Sequence, residues 1–249
     1  MSSRVEVTVR SDRRSASARG RSSRTAFVLV ALLALAASGC SKASSFENLM
    51  DIGVCDPDTG TFTSDVDNPY FPLPVGQQVV LEGGGVLVRI TPLDEVRTVA
   101  GVETRVVEEY EEIDGRLVEI SRNFFAQAED GTVCYFGEEV DMYDENGEIT
   151  SHAGAWLADG GRYRPGIFMP GSPQVEQAFQ QEVAPGVAED QSKIVALDEQ
   201  TEVPGGTFED TVVMLDRDPL GGGEDRKVYA EGVGLIVDEA AELTEFVQA

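Results

Sequence analysis

Two hydrophobic patterns divide this chain. From Ala26 to Ala37 the apolar residues run on without a single charge, whereas from Gly76 onward they alternate with polar ones. Alternation with a period of two is the mark of strands that bury one face. Val79–Leu81 opens a first strand and Val86–Ile90 a second. Turn chemistry then recurs at Ala100-Gly101, Asp114-Gly115, Asp130-Gly131 and Asn146-Gly147, at intervals of 14, 16 and 16 residues. Asp-Gly and Asn-Gly favour tight hairpins because the turns that match strand twist need positive φ. The spacing therefore predicts long strands in an antiparallel meander.

In the strand after Gly115, Val118, Ile120 and Phe124 are read as the buried side, opposite Glu119, Ser121 and Asn123. In the next strand, Cys134, Phe136, Val140 and Met142 share a side, and Tyr135, Glu139, Asp141 and Tyr143 take the other. One face buried and one wet is the usual state of a curved antiparallel sheet. Residues 160–173 hold Gly-Gly, Arg-Pro-Gly, Met-Pro-Gly and Ser-Pro, and read as an irregular crossing that folds Ile167, Phe168 and Met169 over an end of the sheet. The polar spacing of Val175–Val183 allows a short helix, but Pro185-Gly186 follows at once and favours a strand. Further strands are expected around Ile194–Leu197, Val212–Leu215, Val228–Ala230, Leu235–Val237 and Thr244–Val247. The predicted fold is all-β, a meander curled into a half-barrel or incomplete barrel.

The first 39 residues do not read as part of that fold. Seven arginines between Arg4 and Arg24 precede the apolar run, and Ala37-Ser38-Gly39-Cys40 follows it. A basic start, a short greasy core and small residues before a cleavage point make a secretory signal. The core is too short to span a membrane, which takes roughly 20 apolar residues. The final four residues resemble the lipobox of bacterial lipoproteins, which implies acylation of Cys40 and cleavage just before it. Ordinary signal cleavage and an uncleaved anchor are the alternatives. Arg13-Arg14 sits well upstream of the apolar core, so it reads as basic character rather than a twin-arginine signal. The expected organisation is a signal peptide over 1–39, a tether and N-terminal segment over 40–66, and one β domain over 67–249. Three prolines between Pro69 and Pro74 forbid helix and favour an extended approach to the first strand.

Charge narrows the partners. Without its leader the chain carries 12 basic against 43 acidic side chains, a formal charge of −31. Such a surface repels nucleic acid and anionic lipid headgroups. Glu108, Glu109, Glu111 and Glu112 place charge on both faces of one strand, which excludes a lipid-facing barrel wall. With Cys40 set aside, Cys55 and Cys134 form an even pair in an exported protein, expected as a disulfide. Two free buried thiols are the alternative.

Few residues offer chemistry. His152 is the only histidine and no Gly-x-Ser-x-Gly elbow accompanies it, so it reads as an ordinary strand histidine. Asp56, Asp58, Asp65 and Asp67 form one acidic cluster that could supply oxygens to Ca²⁺; Asp141, Asp144, Asn146 and Glu148 form a second, which fails the spacing of a twelve-residue loop. Trp156, Phe124, Phe125, Tyr135, Phe136 and Phe179 could line an apolar pocket, or fill the core. No cofactor is implied.

Five segments resemble an uncharacterised family of bacterial secreted proteins and lipoproteins grouped with the TapB-like proteins. They are Asp67–Leu73 with Gly76, Val133–Glu138, Pro165–Pro170, Val203–Phe208 and Tyr229–Leu235. The resemblance covers about residues 67–238. It implies a curled antiparallel half-barrel similar to lipoprotein carriers such as LolA, and it carries no catalytic signature. The expected function is that of a non-catalytic cell-envelope lipoprotein, on the outer face of the cytoplasmic membrane or on an outer membrane. Its sheet would bind an apolar ligand, a lipid or a partner protein. A structural or assembly role without a small ligand is the first alternative, and a carboxylate-based hydrolase the second.

Overall fold

The structure is a computed structural model and describes residues 46–221 and 223–249; the basic leader, the apolar run and Cys40 lie outside the described residues. A 3₁₀ turn at Ile52–Cys55 precedes sixteen strands. They are β1 (Phe62–Thr63), β2 (Gln78–Gly83), β3 (Val86–Val99), β4 (Val102–Ile113), β5 (Arg116–Ala128), β6 (Val133–Tyr143), β7 (Ile149–Ser151) and β8 (Trp156–Leu157). There follow β9 (Arg164–Met169), β10 (Ala178–Gln180), β11 (Glu182–Val183), β12 (Gln191–Val203), β13 (Gly206–Arg217), β14 (Glu224–Ala230), β15 (Gly234–Asp238) and β16 (Ala241–Val247). Among the described residues there is no α-helix. Thirteen strands pair edge to edge in the order β10-β12-β13-β14-β15-β16-β2-β3-β4-β5-β6-β9-β11, while β7 and β8 extend the far side of β6 and β1 pairs with β5. The result is a nearly closed antiparallel barrel with one unsealed seam.

The turns explain the long hairpins. Gly84-Gly85, Ala100-Gly101 and Asp114-Gly115 each place two consecutive residues at positive φ, between 48° and 89°. That is the backbone of a two-residue turn matched to strand twist. At Asp130-Gly131 the loop is longer: Ala128 N–H donates to Thr132 O across it, and Gly131 takes φ of 86°.

The face expected for β5 is reversed, and the face expected for β6 is split by a bulge. Phe125 opposes Tyr135 and Asn123 opposes Glu138, so three residues of β6 span what two span on β5. Gly137 supplies the extra residue at φ 121°, where a Cβ would collide with Trp156 O. A bulge of this kind flips the side-chain phase. Cys134 and Phe136 therefore lie on the opposite face from Val140 and Met142, not beside them. On β5, Glu119, Ser121 and Asn123 face inward, and Ile120, Arg122 and Phe124 outward. Phe124 is still buried, because the Arg97 guanidinium covers its ring at 4.7 Å.

The expected irregular crossing over 160–173 contains β9, which pairs with β6 on one edge and β11 on the other. Ile167 and Met169 are fully buried in a strand rather than folded over an end. Gly166 permits this packing, since a Cβ there would lie about 2.2 Å from Gln181 O. Residues 178–183 complete the wall. Their first half pairs with β12 at three positions and their second half with β9 at two. One short segment thus passes from one edge of the sheet to the other.

One end of the barrel is plugged by the proline-rich segment. Asn68 Nδ2 donates to Gly131 O and Pro170 O, at 2.9 and 3.2 Å. Gly232 N–H donates to Pro69 O at 2.8 Å, and Gln77 Nε2 to Val233 O at 3.1 Å. Phe71 enters between Phe168 and Phe125, with ring centroids 4.5 and 5.1 Å away, and Tyr135 stacks on Phe125 at 4.8 Å. Four of the five segments singled out in the sequence, all but Val203–Phe208, meet at this plug.

Residues 46–66 pack on the barrel as well. Met50 N–H donates to Ala178 O, and Phe62 meets the edge of Phe136 at 5.6 Å. Cys55 and Cys134 are disulfide-bonded, with Cα atoms 5.6 Å apart. The bond ties this segment to β6 across 79 residues of sequence, worth about 4 kcal/mol in the chain-entropy account. Reduction, or a C55A/C134A variant, is expected to lower the denaturant midpoint by an amount equivalent to about 4 kcal/mol. An unchanged midpoint would show that the bond adds nothing beyond the packing of Phe62 and Met50.

Candidate functional site

Because the sheet curls almost shut, the inward positions of its main strands share one interior. Directly opposed residues lie on the same face, so the register traces rows around the inside. One row runs Ile194, Met214, Lys227, Asp238, Ala241. The next runs Leu243, Leu81, Val88, Glu111, Glu119, Met142. A third reads Val79, Ile90, Glu109, Ser121, Val140, and a fourth Val107, Asn123, Glu138, Trp156. The inward rows are apolar on β16, β2 and β3, carry Asp216, Lys227 and Asp238 on β13 to β15, and carry carboxylates on β4 to β6.

At the end opposite the plug the interior opens into a cavity of about 360 Å³. Gly83, Gly84, Val86 and Val88 form part of its lining, and its charged groups are Glu109, Glu111, Asp225, Lys227, Asp238 and Glu239. Lys227 Nζ lies 3.5 Å from Asp216 Oδ2 and 3.7 Å from Asp238 Oδ2. Asp216 also accepts the Ser192 hydroxyl. Burial alone would push the lysine down, but Asp238 and Asp216 outweigh it and hold the ammonium charged. Five carboxyl groups thus surround one cation at the mouth.

Deeper in, the carboxyls hold their protons unusually well. Burial raises Glu109 to about 7; Asp238, Glu119 and Glu111 add to the rise, and Lys227 opposes it. Glu138 goes to about 9, through burial first and then through Glu182, Glu119 and Glu109. Glu182 reaches about 7 by burial and by Asp190, although Trp156 Nε1 donates to it at 3.3 Å. Asp190 rises to about 6 by burial beside Asp218 and Asp216.

The sequence-based candidates fall elsewhere. Asp56 Oδ1 accepts from Asp58 N–H, Asp65 lies 3.4 Å from the Arg105 guanidinium, and Asp67 Oδ1 accepts from Gln127 Nε2 at 2.6 Å. The four aspartates do not converge, and among the described residues no group of three or more acidic, His or Cys side chains is arranged to hold a metal ion. Asp144 is occupied in its own turn, accepting from Asn146 N–H and Glu148 N–H. His152 is exposed just after β7, its Nδ1 2.7 Å from Val140 O and 3.0 Å from Asp141 Oδ1. Phe125, Tyr135 and Trp156 join Phe71 and Phe168 in the aromatic packing, while Phe136 and Phe179 are fully buried. Phe71, Phe125, Tyr135, Phe168 and Trp156 therefore fill the interior near the plug, while Phe124 and Phe136 pack on the outer face.

Reading the acidic strand positions as a wet outer face hid the interior carboxylates. The run Glu108–Glu112 held the usable signal: charge on both faces of a strand in a closing sheet means that some of it points inward. No protein-family model matches the chain, nor does any curated protein or solved structure. The family resemblance therefore rests on its five segments alone.

The interior carboxyls fix the sign of the pH dependence. Their folded-state pKa lies above the ordinary value near 4.5, so the folded state binds more protons than the unfolded chain. Stability is fully present below that ordinary value and falls as pH rises through about 7, for Glu109 and Glu182, and about 9, for Glu138. The melting temperature is expected to drop between pH 5 and pH 9, and to drop less in an E138Q variant. A melting temperature that climbs over that range would contradict the assignment.

Proposed function

We propose that this chain is a non-catalytic binding protein of the bacterial cell envelope, held at a membrane surface by acyl chains on Cys40, whose barrel mouth takes a small organic cation. The anchor is supported by the leader, the apolar run and the lipobox-like Ala37–Cys40. The ligand class is supported by the mouth, where five carboxyl groups and one ammonium line about 360 Å³. A protonated amine would gain charge-assisted hydrogen bonds there. An apolar ligand or lipid is less well supported, because Phe71, Phe125, Phe168 and Trp156 occupy the interior that it would need.

Calorimetric titration with spermidine, palmitate and glucose as probes tests the ligand class. Spermidine is expected to bind, more tightly at pH 8 than at pH 6 because Glu109 ionises across that range. An E109Q/E111Q variant is expected to weaken it by about tenfold or more, the scale of one charge-assisted hydrogen bond. Binding of palmitate alone would overturn the cationic reading. Mass analysis of protein from native membranes tests the anchor: an unmodified thiol at Cys40 would remove it.

A further inference from the structure

The chain enters the folded barrel at its mouth. Phe46, the first described residue, is buried, and the Arg217 guanidinium covers its ring at 4.4 Å. Arg217 ends β13 and opposes Gln191 and Glu224, the first residues of β12 and β14, and Asp225 beside them lines the mouth. Cys40 lies six residues before Phe46, so a fully extended chain carries it no more than about 20 Å from the rim. From Phe46 the chain runs along the wall towards the plug: Met50 N–H donates to Ala178 O, Cys55 is bonded to Cys134, and Phe62 packs on Phe136.

The turns around the mouth expose aliphatic side chains. Leu220 is 52% exposed between β13 and β14, and Ile149 is 50% exposed at the start of β7, opposite Tyr143 at the end of β6. Ile113 is 40% exposed beside the Asp114-Gly115 turn, where Asp114 N–H donates to Gly85 O of the neighbouring turn. Val187 adds a fourth, exposed between β11 and the start of β12. At the plugged end the exposed large hydrophobic side chains among the described residues are valines, Val75, Val96 and Val247. One exposed aliphatic residue is ordinary; four on separate turns around one opening form a set that a membrane interface can cover together.

We propose that the mouth rim docks on a bilayer surface of zwitterionic headgroups, so that the mouth faces the membrane and the plug faces away. The inference rests on the acyl anchor at Cys40 and is independent of what the mouth binds. Six residues of tether hold the rim near the headgroups, and at the high effective concentration this imposes, a shallow insertion of Ile113, Ile149 and Leu220 suffices. Charge selects the surface. The same turns carry Asp114, Glu145, Glu148 and Asp218 against Arg116, so anionic headgroups repel the rim and zwitterionic ones do not.

Quenching of a reporter tryptophan by brominated lipid tests the docking. The mature chain, residues 40–249, is coupled through the Cys40 thiol to a maleimide lipid in phosphatidylcholine vesicles, which supplies an anchor whatever the cell adds. Cys55 and Cys134 are bonded to each other, and the buried Trp156 is a background common to all variants. L220W is expected to be quenched, since a side chain about 5–10 Å deep reaches the acyl chains, while V96W at the plugged end keeps its emission. Adding I113S and I149S to L220W is expected to lower the ratio of docked to undocked protein at least about tenfold, the scale of one aliphatic side chain left in water. Phosphatidylglycerol in place of phosphatidylcholine is expected to lower it too. V96W quenched as much as L220W, or neither quenched, would overturn the docking. So would an L220W emission that follows protein density instead of bromine, which would assign the rim to a second copy. If L220W does not fold, I149W takes its place. An unacylated Cys40 in native membranes would remove the natural anchor, whereas an unquenched rim on the maleimide lipid would remove the docking and leave the anchor.

Discussion

A sheet that closes on itself acquires an inside, and every second residue of each strand must then live there. This constraint governs the molecule more than any single contact. Where the inward residues are aromatic or aliphatic, closure produces a core. Phe71, Phe125, Tyr135 and Phe168 form that core at the plugged end. Where they are Glu109, Glu111, Glu119 and Glu138, closure confines carboxyls in a space where ionisation is costly. Those groups respond by keeping their protons, as Glu109 and Glu138 do.

The two ends of the barrel follow from this division. At one end the prolines of Asp67–Pro74 hold an extended backbone whose polar groups bond to the loops around Gly131, Pro170 and Val233. Phe71 enters beneath it. At the other end the turns at Gly84-Gly85 and Glu239-Ala240 leave a cavity, with Lys227 as its one cation among the lining groups.

Much of the wall was legible in the chain. The turns at Ala100-Gly101 and Asp114-Gly115 and the long strands between them follow from residues that accept positive φ. The Cys55–Cys134 bond followed from their being an even pair in an exported chain. The direction of the faces was not legible past Gly137. A single extra residue there reverses the phase, and strict alternation from Cys134 to Met142 carries the wrong side onward. Glu138 and Glu182 could not be paired in advance either, since strands 44 residues apart in sequence meet only when residues 178–183 cross the seam. The aspartates between Asp56 and Asp67 looked like a site because they are close in sequence. In the fold Asp65 and Asp67 are committed to Arg105 and Gln127.

Carboxyls that keep their protons to unusually high pH inside the barrel are the claim on which the pH dependence of stability and of the mouth rests. Carbon-detected NMR titration of the glutamate side-chain carboxyls measures it directly. The account predicts that Glu109 and Glu182 titrate at about 7 and Glu138 at about 9, well apart from the exposed glutamates. A spectrum in which every glutamate titrates together near 4.5 would contradict it.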